Sequence, residues 1–379
     1  MRKVSVIGTG MVKFGKYNDV SLADIGWPAV LQAMNDAGLK PGDINAFFCG
    51  TGLSGPMPGQ RVLGRLGMTG IPIINVENAC SSGSSALSLG CMAIASGQHD
   101  VVMVMGIEKL TKFNGGTIPL EKEDWEVSNG LVMPALYAMR ARRYMHDFGL
   151  TKEQLASVVV KSRRHAALNP DAQLQKETTV EEVLASRMIA DPFTLYQCCP
   201  TGDGAAAIIL CAENLAHGFS NKPVNVVASH VASGIFESGP RDMTSPEITV
   251  RCAKDTYEEA GIGPEDIDVA EVHDAFTSAE LMYYEAFGFC DRGEAAHMLE
   301  SGASSLGGRI PVNPSGGLLS KGHPVAVTGA AQVVEVVRQL QGRCGKRQVA
   351  GAKVGLTHAT GGGISGFDHG VCAIHIFST

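Results

Sequence analysis

Short apolar runs bounded by glycine turns alternate along this chain with longer stretches of helical character. Val4-Ser5-Val6-Ile7-Gly8 predicts a strand almost from the first residue. Ser21 and Asp24 form a capping-box-like start to the next helix. That helix stops at Gly38, and the apolar run Ala46 to Gly50 predicts a second strand. Ile71 to Val76 predicts a third, followed by a sharp turn and a helix over 81–96 built mostly from Ser, Gly, Ala, Leu and Met. Small residues on every side suit a helix buried against other backbone. Strands alternating with helices imply sheets covered on both faces.

The pattern then repeats. Ala37-Gly38-Leu39-Lys40-Pro41-Gly42-Asp43-Ile44-Asn45 is echoed by Ala260-Gly261-Ile262-Gly263-Pro264-Glu265-Asp266-Ile267-Asp268, with the strand Val269 to Phe276 following. A second echo, in the same order, relates Thr201-Gly202-Asp203-Gly204-Ala205-Ala206-Ala207-Ile208-Ile209-Leu210 to Gly366-Phe367-Asp368-His369-Gly370-Val371-Cys372-Ala373-Ile374-His375. Two echoes argue for a duplicated half of strand, helix, strand, central helix and closing strands. The central helices fall at 81–96 and 325–341, and two halves side by side give a five-layered α/β/α/β/α body. The stretch from about 110 to 195 has no counterpart and reads as an insertion. The expected division is 1–110 with 195–218 as the N-terminal half, 111–194 as the inserted substrate domain, and 219–379 as the C-terminal half.

Composition narrows the classes. The chain has 379 residues, 45% hydrophobic and 18% charged, an ordinary soluble composition with ample core. Net charge is −7, which leaves nucleic-acid binding without its electrostatic footprint. No apolar run reaches the roughly 18 residues of a membrane span. A strand from the first residues leaves no room for a signal peptide, and Ile376-Phe377-Ser378-Thr379 is not a peroxisomal address. Ten cysteines without paired Cys-x-x-Cys sets argue against a metal centre in this chain and for a reducing cytoplasm.

Four segments carry candidate chemistry. Cys80, in Asn78-Ala79-Cys80-Ser81-Ser82-Gly83, sits at a strand-to-helix elbow. A thiol there is exposed for attack, and the helix start is expected to lower its pKa. Glu271-Val272-His273-Asp274-Ala275-Phe276 ends an apolar strand, and Asn313-Pro314-Ser315-Gly316-Gly317 runs on to Gly322-His323-Pro324, with Pro at a helix start. Thr357-His358-Ala359-Thr360-Gly361-Gly362-Gly363 follows the strand Val354 to Leu356, and its glycines offer N–H groups to an oxyanion. Singly, each has an ordinary structural reading as core thiol, turn histidine or bend. Together they supply a thiolate, a base and donors for a thioester oxygen.

These segments, in this order over the whole chain, resemble the thiolase family, closest to its sterol-carrier-protein type. Gln197-Cys198-Cys199-Pro200-Thr201-Gly202-Asp203-Gly204 and Arg164-His165-Ala166-Ala167-Leu168-Asn169-Pro170 strengthen the likeness. The resemblance implies the five-layered duplicate and an acyl-CoA C-acyltransferase that cleaves or forms a 3-oxoacyl-CoA. It makes Cys80 the acylated nucleophile and His323 its base. His273 would serve the first oxyanion hole, and the N–H groups of Cys80 and Gly361 the second. Coenzyme A is substrate, with no permanently bound cofactor. Arg142, Arg143, Lys161, Arg163 and Arg164 in the insertion are candidates for its phosphates. The family further implies a homodimer, and relatives such as benzoylsuccinyl-CoA thiolase suggest a zinc-ribbon/OB-fold partner.

One departure bears on the reaction. Thiolases use a second cysteine as acid/base on the substrate α-carbon, either before the glycine run or in a His-Asp-Cys-Phe motif. Those positions here are Ala359 and Ala275. Three readings stay open: a thiolase in which a histidine, first His358 and then His273, does that work; acyl transfer or retro-aldol cleavage of a 3-hydroxyacyl-CoA without α-proton chemistry by a thiol; or a non-catalytic scaffold for the partner. The intact Cys80, His323 and glycine set weighs against the last. The segment 125–145, with Trp125, Leu136, Tyr137 and Tyr144, is read as either the floor of an acyl pocket or a core helix.

Overall fold

A computed structural model describes residues 2–113, 118, 120–219, 222–235, 241–362 and 368–379. The N-terminal half runs β1 (Val4–Met11), α1 (Leu22–Ala37), β2 (Ala46–Gly50), α2 (Pro58–Gly64), β3 (Ile73–Val76), α3 (Ser82–Ala95) and β4 (Val101–Lys109). Next come α4 (Trp125–Ser128), α5 (Met133–Phe148), α6 (Lys152–Ala167), α7 (Val180–Ala185) and the short strands β5 (Met188–Ala190) and β6 (Phe193–Thr194). β7 (Asp203–Ala212) returns to the sheet, and α8 (Glu213–Ala216) leads to the second half. There the order is β8 (Val224–Ser233), α9 (Glu247–Ala260), β9 (Val269–Glu271), α10 (Thr277–Ala286), α11 (Ala295–Glu300), α12 (Thr328–Leu340), β10 (Val354–Gly361) and β11 (Val371–Ser378).

The strand order β3-β2-β4-β7-β1-β8-β11-β10-β9 shows the duplication. Read outward from the β1–β8 junction, β1-β7-β4-β2 on one side matches β8-β11-β10-β9 on the other. The junction is a short antiparallel pairing of Val4, Ser5 and Val6 with Val226, Asn225 and Val224. The halves therefore share one nine-stranded mixed sheet rather than lying as two separate ones. α1 packs on β1 and β7, and α9 on β8 and β11, as the outer layers. α3 touches β2 and β4 of its own half and β8 and β11 of the other, while α12 lies against β1, β4 and β7 as well as β9 and β10. The two helices thus form the middle of a five-layered body.

The first echo folds alike in both places. Gly38 and Gly261 end α1 and α9 with φ of 68° each, a left-handed conformation open to glycine. Asp43 then accepts from the Lys40 N–H at 2.7 Å, and Asp266 from the Gly263 N–H at 2.9 Å. Two expected boundaries move. The strand predicted over 269–276 ends at Glu271, because the Val272 N–H leaves the ladder for the Asn313 side chain at 2.8 Å. The strand predicted at 354–356 continues to Gly361, because β11 pairs with it throughout.

Small residues let the middle layer close. A Cβ at Gly83 would lie 2.8 Å from the Ala326 carbonyl oxygen, and one at Gly329 2.8 Å from the Ser84 nitrogen. Backbone atoms cannot step aside, so a larger side chain must separate α3 from α12. Gly83→Val should therefore cost roughly 1–3 kcal/mol in urea denaturation, and unchanged stability would contradict this packing.

Candidate active site

Between β3 and α3 the chain makes a tight elbow. Ala79 has φ of 48°, a strained left-handed backbone for a residue with a side chain, and a single 3₁₀ turn over Ala79–Ser81 carries Cys80 into α3. The bend is tied at several points. The Ala79 N–H donates to Glu77 Oε1 at 2.7 Å, the Asn78 N–H to Ser82 Oγ at 2.9 Å, and Ser81 Oγ to the Ala359 carbonyl at 3.1 Å. The last bond fastens the elbow to β10. Gly361 is required beside it, since a Cβ there would lie 2.4 Å from the Asn78 carbonyl oxygen.

Two loops of the C-terminal half bring the histidines. The Cys80 sulfur and ring nitrogens of His273 and His323 lie within 4.8 Å of one another. The two imidazoles meet edge-on, with centroids 5.2 Å apart. His323 Nδ1 is engaged by Thr328 Oγ1 at 2.7 Å, which leaves Nε2 for the sulfur. Among the described residues this is the only group of three Cys, His, Asp or Glu side chains spaced to hold an ion. It lacks the fourth ligand of a closed structural zinc site.

The electrostatics correct one expectation. Burial pushes the Cys80 thiol up to about 12, and Glu108 adds to the rise; the N–H groups of Cys80 and Gly362 pull the other way and are outweighed. The helix start therefore does not yield a resting thiolate. Burial pushes His323 down to about 3, and burial and then the neighbouring His323 hold His273 well below its ordinary range. At neutral pH the site is a thiol beside two neutral imidazoles.

His358 is not brought to this cluster. On β10, Thr357, Ala359 and Gly361 face the middle layer, and strand alternation turns His358 to the opposite face. There it is fully buried, with Nε2 3.2 Å from Thr249 Oγ1, Nδ1 accepting from the His273 N–H at 3.4 Å, and its ring edge-on to Tyr283 and Phe287. It supports the His273 backbone. A glycine amide that reaches the sulfur belongs to Gly362, next to Gly361, whose N–H is the one expected at the thioester oxygen, and Gly363 lies outside the described residues.

The five cationic candidates divide. Lys161 is buried, paired with Glu280 at 2.6 Å and donating to Tyr284 Oη and the Val312 carbonyl at 3.0 Å, so it holds the fold and is not free for a phosphate. Arg142 pairs with Asp191 at 3.1 Å and Arg143 with Asp147 at 2.7 Å, both on the surface. Arg164 is exposed. Arg163 lines a cavity of about 340 Å³ with Lys176, Thr178, Ser186 and Tyr196, and its Nε is buried without a partner. In the 125–145 segment, Leu136, Tyr137 and Tyr144 are buried, while Trp125 stands exposed.

Sequence reading missed Glu108, a carboxylic acid after the apolar run Val101 to Ile107 of β4 that accepts from the Leu53 N–H at 3.0 Å and is raised by burial. One acid at the end of a buried strand is the signal that could have found it. It also missed that the Tyr137 hydroxyl meets His369 Nε2 at 2.7 Å, across 232 residues of chain that no local pattern links.

Known proteins agree with this architecture. The thiolase N-terminal domain matches residues 4–214 and the thiolase C-terminal domain-like family matches residues 235–372. The chain belongs to the thiolase family. It is an acyltransferase of that class: it is 44% identical to an acetyl-CoA acetyltransferase of Methanothermobacter thermautotrophicus over the full length of both chains. It is 43% identical to the benzoylsuccinyl-CoA thiolase subunit BbsB of Thauera aromatica, over 96% of this chain and 95% of that one. Among solved structures, an Ltp2-ChsH2(DUF35) aldolase superimposes with a TM-score of 0.84 at 27% identity, covering 98% of this chain and 97% of that one. Human mitochondrial 3-ketoacyl-CoA thiolase shares the fold, with a TM-score of 0.74 at 18% identity over 100% and 99%.

A resting thiol at about 12 sets the pH response of Cys80 alkylation. The thiolate is the reactive form, so the iodoacetamide rate should climb about tenfold per unit from pH 7 to 10. A plateau near pH 7, followed by mass spectrometry of the Cys80 peptide, would instead reveal a thiolate–imidazolium pair.

Proposed function

We propose that this chain transfers acyl groups through a thioester on Cys80. The observation that carries the reading is the meeting of the Cys80 sulfur with the His273 and His323 nitrogens within 4.8 Å. In the degradative direction, His323 takes the thiol proton as the sulfur attacks the 3-keto carbon of a 3-oxoacyl-CoA. The neutral, buried pair suits proton transfer concerted with attack, because no charge is separated beforehand. The Cys80 and Gly362 N–H groups stabilise the oxygen of the acyl-enzyme, and His273 faces the thioester oxygen of the departing acyl-CoA. A second coenzyme A then collects the acyl group.

Residues 111–194 form the substrate insertion on this reading, between an N-terminal half of 1–110 with 195–218 and a C-terminal half of 219–379. Arg163, which lines a cavity with Lys176, Glu177 and Glu182, is the best placed of the five cations for a coenzyme A phosphate. The substrate is a 3-oxoacyl-CoA whose leaving carbanion is already stabilised, benzoylsuccinyl-CoA being one such compound. The relative named as a subunit and the neighbour named as a DUF35 complex support a zinc-ribbon/OB-fold partner. A homodimer is supported by β3, an edge strand with Ile74 48% exposed. All ten cysteines are free, in keeping with the cytoplasm. The aldolase likeness favours a second reading, retro-aldol cleavage of a 3-hydroxyacyl-CoA.

Incubation with acetoacetyl-CoA should add an acetyl group to the Cys80 peptide, and Cys80→Ala should lower acyl transfer at least about a thousandfold. Turnover of a 3-hydroxyacyl-CoA without added coenzyme A, surviving Cys80→Ala, would replace this reading with the lyase.

A further inference from the structure

The acyl-transfer reading leaves a proton unaccounted for at the substrate α-carbon, because residues 275 and 359 are alanines and His358 faces away. Next to that gap runs the segment Cys198-Cys199-Pro200-Thr201, fixed on both sides. The Cys199 N–H donates to the Ala275 carbonyl at 2.9 Å, and Cys198 forms an antiparallel bridge with Phe276. On the other side the His323 N–H donates to the Pro200 carbonyl at 3.2 Å, and Thr201 forms a parallel bridge with His323. Residue 199 is thus held between the vacant position at 275 and the base at 323.

We infer that Cys199 is a catalytic residue that moves the proton at the substrate α-carbon, a role that rests on the acyl-Cys80 reading. The two adjacent thiols are not equivalent: the Cys198 sulfur is turned to the Thr194 carbonyl at 3.5 Å. Cys80, Cys198, Cys199 and Cys290 are part-exposed and the other six cysteines are buried, so it is the direction of the Cys198 sulfur that separates the adjacent pair. Beside Cys80, His273 Nδ1 is buried without a hydrogen bond in a residue only 2% exposed. Burial, then Cys198, Cys80 and Asp274 as neighbours, hold the Cys199 thiol well above its ordinary range. It therefore enters the cycle protonated, as a donor must. The nearby phenol of Tyr137 is already engaged by His369 at 2.7 Å.

The step balances without any redox change. When the bond between C2 and C3 breaks, its electron pair stays on C2 of the departing CoA thioester. That carbon takes the proton from the Cys199 sulfur. The resulting thiolate removes the thiol proton of the incoming coenzyme A, whose sulfur attacks the acyl-Cys80 carbonyl. The Cys80 sulfur leaves and regains its proton from the His323 imidazolium.

The test follows acylation and proton exchange separately in the full-length protein. Acetyl-CoA serves both readouts: transfer of its acetyl group to the Cys80 peptide breaks no carbon–carbon bond and forms no carbanion, so it reports acylation alone, and in deuterium oxide the same compound reports exchange at the α-carbon. Cys199→Ala and Cys199→Ser should both keep acylation, which also certifies their folding, and Cys199→Ala should lose exchange by at least about a hundredfold. Exchange within about threefold of the parent would overturn the proposal, and its loss in Tyr137→Phe instead would move the role to the phenol. Position is read without turnover: diamide should join Cys80 and Cys199 in a linked peptide pair that dithiothreitol separates. Failure to link two thiols that both remain alkylatable also overturns the proposal. A parent that cross-links yet is acylated by no thioester sinks the acyl-transfer reading itself, a separate failure.

Discussion

The site depends on a buried polar clamp between two loops of the C-terminal half. Glu271 accepts from the Ser315 N–H at 2.9 Å and from Ser315 Oγ at 2.6 Å, while Asp274 accepts from the Leu318 N–H at 2.7 Å. Asn313, held in a left-handed backbone with φ of 55°, links Val272 to Glu280 through its side-chain amide. Lys161 and Lys321 place their charges against Glu280 and Glu271. Such pairs add little net stability once their desolvation is counted, yet losing one partner costs about 3–5 kcal/mol because the other stays buried and uncompensated. Their effect is to fix where His273 and His323 sit relative to each other.

Within that clamp the reacting groups carry no charge at rest. A water-poor pocket penalises both thiolate and imidazolium, so the protein keeps Cys80 and His323 neutral and leaves ionisation to the reaction itself. On the proposed acyl-transfer reading, the amide hydrogens at the elbow meet charge only as it develops on oxygen, where preorganised donors contribute most. Protection from stray oxidants and alkylators follows from the same arrangement, because the thiol is a far weaker nucleophile than its anion.

The architecture was legible because its signals are local. Gly38 and Gly261, and the Asp43 and Asp266 turns after them, repeat as sequence because they repeat as hydrogen bonds. The three segments bearing Cys80, His273 and His323 were readable for a similar reason, as each is a turn at the end of a strand or the start of a helix. What failed was non-local. The parity of β10 decides which way His358 points, and its register is set by β11 and β9. Lys161 looked like a free cation until Glu280, far along the chain, arrived to pair with it. The Cys80 acidity was misjudged because dielectric surroundings are made by the whole fold, whereas the helix start is visible in a few letters.

The short β1–β8 seam has a meaning beyond architecture. Cys80 belongs to one half and His273 and His323 to the other, so neither half holds the cluster by itself. Symmetry survives in the order of the matched strands and in the two central helices, and is broken by β3, by the stretch from about 110 to 195 and where the starts of α3 and α12 converge. A chain severed at that seam would leave two sheets, each with an exposed edge and only part of the Cys80–His273–His323 cluster, and reunion of the fragments would have to precede its assembly.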